Sequence, residues 1–146
     1  RPCRVIASPR DCATRRILGG YRNTCAEQPP STCISWYFFP STSTGIIVGY
    51  LGVDWFDFEG RRRLEFGYRL ASEARGLGYA TEASRALLAT AAQTYRGEIL
   101  AIIDPTNRPS QNVASKLGFS FWKQAIVAGY VDKLYRLRID GRYPVN

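Results

Sequence analysis

The feature that most restricts this chain is a change of hydrophobic period between Leu64 and Tyr95. Leu64, Phe66, Tyr68 and Leu70 alternate strictly with Glu65, Gly67 and Arg69, so one set of side chains faces a core and the other faces away, as in a strand with one buried face. After a short glycine-containing loop over Ala71–Gly78, the apolar positions Ala80, Ala83, Leu87, Ala91 and Tyr95 recur at three- and four-residue steps. That spacing predicts an amphipathic helix running to about Tyr95. A strand that feeds a helix through a glycine loop is the beginning of a layered sheet.

The flanking segments extend the pattern. Ile99–Ile103 is short and almost continuously apolar, as expected for a strand inside a sheet. Asp104-Pro105-Thr106-Asn107 turns the chain into a second helix that ends at Lys116-Leu117-Gly118-Phe119. There Gly118 suits the left-handed position after the helix, and Lys116 meets the negative end of the dipole. Two last strands are expected near Phe119–Gln124 and Val131–Ile139. Upstream, Ile34–Phe39 and Ile46–Val53 are β-branched and aromatic and flank Ser-Thr-Ser-Thr-Gly, so they read as a hairpin. Asp54–Arg63 reads as an exposed loop, and residues 26–32 are turn-rich. Arg4–Ala7 is a candidate first strand, and Ser8-Pro9-Arg10-Asp11 carries the cap, proline and acid of a helix start. The order strand, helix, strand, helix, strand in the second half implies an α/β or α+β layered sheet. With 146 residues, 45% of them hydrophobic, one domain spanning 1–146 can bury a real core.

Composition removes several chemistries. The chain has no histidine, so Ser-His-Asp and Cys-His engines cannot be built and imidazole zinc sites are out. Acid–base work falls to carboxylates, Tyr, Lys, Ser or water. Cys3, Cys12, Cys25 and Cys33 fall in the first quarter without a C-x-x-C pair and are expected to be free thiols in a reducing cytoplasm. No stretch approaches the roughly 18 unbroken apolar residues of a membrane span, and no signal-peptide order is seen at the start. A net charge of +8 draws in anions without choosing among nucleic acid, phosphorylated cofactors and acidic proteins.

The run Arg75-Gly76-Leu77-Gly78-Tyr79-Ala80-Thr81 narrows that choice. A helix start leaves its first backbone N–H groups unpaired at the positive end of the dipole. Gly76 and Gly78 lack the Cβ that would hold a phosphate away and allow positive φ. Together these make a pyrophosphate cradle, to which Arg75 adds a charge. The alternative is a glycine turn that only reverses the chain. A Rossmann loop would want a third glycine where Thr81 stands, and a Walker loop would want Gly-Lys-Ser/Thr, which is absent.

Arg75-x-x-Gly78-x-Ala80 resembles the acyl-CoA-binding motif of the GNAT superfamily of N-acetyltransferases. Phe66–Leu70 with Arg75–Ala83, followed by Asn107-x-x-Ser110-x-x-Val113-x-x-Lys116-Leu117-Gly118-Phe119, is similar to the RimJ/RimL-like branch, which acetylates ribosomal-protein N-termini. The resemblance covers Ile34 to the C-terminus, with residues 1–33 divergent or truncated. It implies a mixed, twisted sheet of about six to seven strands, a central splayed parallel pair and helices on both faces. It also implies acetyl-CoA as cofactor, with pantetheine in the splay against the strand ending at Leu70 and phosphates at Arg75, Gly76, Leu77, Gly78, Tyr79, Ala80 and Thr81. No metal is called for.

Acetyl transfer to an amine needs a base, an oxyanion donor and a partner for the departing thiolate. Glu65, opposite the Leu64/Phe66/Tyr68 stripe, is the first candidate for the base, acting through water; its alternative is a surface carboxylate paired with Arg63 or Arg69. Backbone N–H near Leu70 is the candidate oxyanion donor. Ser110 stands where the resembling branch faces the cofactor sulfur, Asn107 holds pantetheine or caps the helix, and Lys116 is either a helix cap or a phosphate contact. The position of the usual tyrosine acid is Ala114, so Ser110, Tyr130 or Tyr135 must fill that role. The expected reaction is direct transfer in a ternary complex to a protein N-terminus or small-molecule amine, by a cytoplasmic monomer or homodimer. Nucleic acid enters only indirectly, through a ribosome. The rival readings are a CoA-binding homologue without turnover and a basic nucleic-acid-binding module using Trp36, Tyr37, Phe38 and Phe39.

Overall fold

Glu59 and Gly60 decide how the middle of the sheet is built. Both sit at positive φ, 51° and 69°, the conformation of a two-residue turn whose twist suits the strands it joins. They connect β4 (Ile47–Phe58) to β5 (Arg61–Leu70) in antiparallel register from Phe58↔Arg61 to Gly49↔Leu70. The exposed loop expected over Asp54–Arg63 is therefore strand on both sides of a tight turn. Its polar look misled because this ribbon serves two cores. Leu51 and Val53 are buried in one cluster, with Trp55 packed against it, while Phe58, with Phe56 against it, belongs to another.

The computed structural model describes residues 15–17, 20–22, 37–40 and 47–143. These form β1 (Arg15–Ile17), β2 (Gly20–Arg22), β3 (Tyr37–Pro40), β4, β5, α1 (Tyr79–Thr94), β6 (Gly97–Ile103), α2 (Arg108–Lys116), β7 (Ser120–Val127) and β8 (Tyr130–Ile139). One mixed sheet runs β1-β2-β3-β4-β5-β6-β8-β7, with β5 and β6 parallel and the other pairs antiparallel. The expected hairpin is present as β3 against β4, Tyr37 opposite Leu51. Among the described residues the sheet has eight strands where about six to seven were expected, because β1 and β2, three residues each, lengthen one edge. The strand and helix expected over Arg4–Asp11, the turn over residues 26–32, Trp36 and all four cysteines lie outside the described residues.

Alternation sorts the sheet into two faces. Leu51, Val53, Leu64, Phe66, Ile99 and Ala101 share a cluster with Leu87, Leu88 and Ala92 of α1 and with Ala114 of α2. Both described helices thus pack on this face. Leu88, Leu64 and Ile99 are completely buried, and truncating a leucine in such a place costs about 2–5 kcal/mol. On the opposite face, Leu100, Leu134, Phe58 and Val127 form a second cluster beneath Trp122. A register shift between Phe121 and Lys123 makes Trp122 the extra residue of a bulge, which re-aims its ring. Arg63, Lys123 and Arg136 gather over that ring at 5.1, 4.3 and 5.8 Å from its centre. Glu98 lies 3.7 Å from both Arg63 and Arg136.

The second helix ends as its sequence requires. Gly118 takes φ 86°, the Phe119 N–H donates to Ala114 O at 3.0 Å and the Gly118 N–H to Ser115 O at 3.0 Å. This pair of bonds is the Schellman motif, closed by Phe119 and Ala114 in the same core cluster. Among the described residues, no helix is long and apolar enough to cross a membrane.

Candidate active site

The parallel strands at the centre of the sheet barely hold each other. β5 and β6 pair only at Leu64↔Ile99, Glu65↔Leu100 and Phe66↔Ala101. Beyond Phe66, β5 continues to Leu70 on the support of β4, and β6 continues to Ile103 on the support of β8. The two part there, as the resemblance implied, and the β6-facing edge of Gly67–Leu70 leaves the ladder. Both helices begin at this same end, α1 after β5 and α2 after β6. Their positive dipole ends therefore lie beyond the carboxyl ends of the two parallel strands, where open α/β sheets hold ligands.

The Arg75–Thr81 segment forms the tip of α1. A single 3₁₀ turn, Ser72–Ala74, leads out of β5, and Gly78 serves as N-cap at φ 86° with no side chain capping the helix. The first intrahelical bond is Glu82 N–H to Gly78 O at 3.1 Å, so the preceding amides of Tyr79, Ala80 and Thr81 have no acceptor within the helix. Gly76, at φ 76°, and Gly78 each have open space where a Cβ would stand. Arg75, Gly76, Leu77 and Gly78 are exposed, Tyr79 and Thr81 half-buried, and Ala80 buried. A cradle of free amides bounded by two side-chain-free positions fits a diphosphate. Nearby, Glu73 has its carboxyl held below the usual range, first by a backbone hydrogen bond, then by the Ser72 hydroxyl and the Arg75 charge.

Across the gap, Asp104 sets the start of α2. Its Oδ1 accepts from the Thr106 N–H at 2.8 Å and the Thr106 hydroxyl at 2.6 Å. Asn107 then caps the helix, accepting the Ser110 N–H on Oδ1 at 3.1 Å, so the capping role expected of Asn107 is real. The Ser110 hydroxyl is left for another partner: the Tyr68 hydroxyl donates to Ser110 Oγ at 3.1 Å, joining β5 to α2 across 42 residues. Buried Gln111 donates to Pro105 O at 2.9 Å and accepts from the Tyr135 hydroxyl and Lys133 Nζ, both at 3.4 Å. It ties the β6–α2 turn to β8.

Glu65 is half-buried in the middle rung of the short parallel ladder, opposite Asp54 on β4 and Leu100 on β6. Alternation puts it on the face of the second cluster, away from Tyr68 and Ser110. Arg63, two residues back on the same face, lies 3.7 Å from Glu98. Leu70 ends β5 beside an open groove lined in part by Gly49, Tyr50, Arg69 and Ala71. Leu70, the α1 tip, Asn107 and Ser110 thus stand at the end where the strands part, while Glu65 lies back within the paired ladder on the other face. Lys116 is exposed in the last turn of α2, about 9 Å along the axis from Ser110, where it meets the negative dipole end. Of the alternative acids, Tyr130 is exposed at the β7–β8 turn and Tyr135 bonds Gln111. The residues missed from sequence are Tyr68, taken as one of the apolar stripe, and Gln111. Only their hydroxyl and amide groups hinted at a further use.

Comparison with known proteins agrees with this geometry. The family described as Acetyltransferase (GNAT) domain matches residues 8–120. An uncharacterized protein of Bacillus subtilis, YkkB, is 34% identical over 91 residues, which are 62% of this chain and 53% of that protein. The chain therefore spans about half the length of this curated relative. Among solved structures, a candidate GnaT-family acetyltransferase of Bordetella pertussis superposes with a TM-score of 0.63 at 28% identity, covering 70% of this chain and 65% of that one. RimJ of Mycobacterium smegmatis, solved in complex with CoA-disulfide, gives 0.58 at 26% identity, covering 72% of this chain and 53% of that one.

Proposed function

The chain belongs to the GNAT acetyltransferase domain family, and from that premise we propose that it moves an acetyl group from acetyl-CoA to a primary amine by direct attack within a ternary complex. The observation that carries this reading is the three-rung ladder between β5 and β6, which opens beside the bare amide tip of α1. In this reading the amides of Gly78–Thr81 and the Arg75 charge hold the diphosphate, and the free edge of Gly67–Leu70 pairs with the pantetheine arm. Acetyl-CoA, when bound, supplies an acyl group activated as a thioester.

The rest is the work of the chain's own groups. An alkyl amine with pKa about 10 arrives mostly protonated, and Glu65 takes that proton through water. An N–H near Leu70 meets the negative charge that develops on the carbonyl oxygen. The Ser110 hydroxyl hydrogen-bonds the departing sulfur, and Asn107 fixes the turn that presents it. Because Glu65 and Ser110 lie on opposite faces of the sheet, the amine enters from one side and the thiol leaves toward the other. The Asn107–Phe119 signature and the likeness to a RimJ support a RimJ/RimL-like acceptor, the amino terminus of a protein.

The test offers acetyl-CoA together with a peptide bearing a free N-terminus, a polyamine, an aminoglycoside and a free amino acid. Thiol release and the acetyl mass increment on the amine are followed together. Transfer to the peptide with equal thiol release is expected. Heat protection by CoA without transfer to any amine indicates a binding protein instead, and no protection at all ends the reading.

A further inference from the structure

We propose that Tyr68 is a positioning residue for departure of the thiol: by donating its hydrogen bond to Ser110 Oγ, it aims the Ser110 proton at the leaving sulfur and replaces that proton once it is given up. This rests on the acetyl-transfer reading of the gap between β5 and β6. Tyr68 stands two residues past the last rung, Phe66↔Ala101, on one bank of the gap. Ser110 is in the first turn of α2, which follows β6 on the other bank. Their 3.1 Å bond crosses the opening where the strands separate.

Between two hydroxyls the more acidic phenol is the better donor, so Tyr68 donates and Ser110 accepts. A serine hydroxyl has one proton and two lone pairs, and near a helix start it usually folds back on local backbone. Here the local task belongs to Asn107, which accepts the Ser110 N–H. With one lone pair taken by Tyr68, the Ser110 proton is directed elsewhere, and the gap lies alongside. An aliphatic alcohol is by itself a poor acid toward a thiolate whose conjugate acid has pKa about 8.5, whereas a phenol ionises near 10. A phenol behind the alcohol brings the proton source to within about two units of the group it serves. Of the other tyrosines, Tyr135 bonds Gln111, and Tyr130 is exposed beside the β7–β8 turn.

The step balances. The amine nitrogen bonds to the carbonyl carbon, and the C–S bond breaks with its electron pair on sulfur. Sulfur takes the Ser110 proton, Ser110 takes the Tyr68 proton, and the phenolate is refilled from water. The proton shed by the amine at Glu65 returns to solvent, so one amine and one thioester become one amide and one thiol.

Tyr68→Phe keeps the ring and removes only the hydroxyl. The first readout does not require turnover: the ultraviolet absorbance of the CoA thiolate is titrated with pH on the protein, with desulfo-CoA as blank. Bound CoA is expected to ionise about one pH unit lower on the wild type than on Tyr68→Phe or Ser110→Ala. The second readout is kinetic. Each variant is expected to lose about 10- to 100-fold in kcat, with KM for acetyl-CoA within about twofold. Ser110→Thr should restore most of the rate, and the double variant should be no slower than the slower single one, because the two act as one unit. A CoA titration unchanged by Tyr68→Phe overturns the proposal, as do losses that multiply in the double variant. If Tyr68→Phe does not fold, the wild type against Ser110→Ala and Ser110→Thr decides, and equal CoA titrations in all three overturn it. Wild-type protein that binds CoA but acetylates nothing overturns the acetyl-transfer reading alone, since the thiolate titration still reports on Tyr68.

Discussion

Gly78 and Gly118 form a matched pair that isolates cofactor binding from folding. Both occupy φ 86°, a conformation that costs a non-glycine residue about 1–2 kcal/mol. A Cβ at Gly78 meets nothing within 4 Å, and one at Gly118 meets only Leu137 Cδ1 at 3.6 Å, an ordinary contact. Gly78→Ala and Gly118→Ala should therefore lower stability by the same amount, roughly 3–8 °C in Tm for a chain of this size. Their effects on CoA must differ. The new methyl of Gly78→Ala stands at the tip of α1, where backbone has to approach a diphosphate closely. That of Gly118→Ala stands at the other helix's end, against β8. A loss of about 10- to 100-fold in CoA affinity, or 1.4–2.8 kcal/mol, is expected for the first and none for the second. Melting curves with and without CoA measure both effects at once. A ligand at a hundred times its Kd stabilises the wild type by about 2.7 kcal/mol, and about 1.3–2.3 kcal/mol of that protection should vanish in Gly78→Ala alone. If the two variants remain equally protected by CoA, the α1 tip does not bind the diphosphate.

Four further outcomes follow from the same geometry. Glu65→Gln should lower kcat about 100-fold for an alkyl amine and leave CoA protection intact; an unchanged rate returns Glu65 to a surface role. Arg75→Gln should weaken CoA binding about tenfold and flatten its dependence on ionic strength, as calorimetry at two salt concentrations will show. Asn107→Ala should cost about 1 kcal/mol in urea denaturation through the lost cap. Burial raises the Tyr143 phenol above its ordinary range, with Arg85 opposing, while the neutral hydroxyl donates to Leu117 O at 2.9 Å. A raised folded-state pKa means this stability is whole below about pH 10, the unfolded value, and is lost as pH rises through the folded one. Tyr143→Phe should thus show a shallower loss of stability above pH 10 than wild type, read from chemical denaturation across that range.

The parts of this molecule that were legible in sequence are those fixed by local rules. The alternation of Leu64–Leu70 and the glycine beside Phe119 specify a strand face and a helix end wherever they occur, and both are found as written. Asp54–Phe58 was illegible because its two faces enter two clusters, which erases the alternation that marks a half-exposed strand. The positive φ of Glu59 hid the turn further, since Glu-Gly carries a weaker turn signal than Asn-Gly or Asp-Gly. Glu65, Ser110 and Asn107 could be named from motifs, yet nothing in their spacing says that Glu65 and Ser110 occupy opposite faces. The Tyr68–Ser110 bond is made by residues 42 positions apart and exists only once two strands have parted.

The unequal stitching of β5 also has a mechanical side. Ten rungs bind it to β4 and three bind it to β6. β4 and β5 are thus laced into one ribbon along the whole of β5, while β6 is laced to it only as far as Phe66 and Ala101. A ligand backbone laid along the free edge of Gly67–Leu70 would supply the rungs that β6 does not, so the centre of the sheet is completed only when the gap is filled.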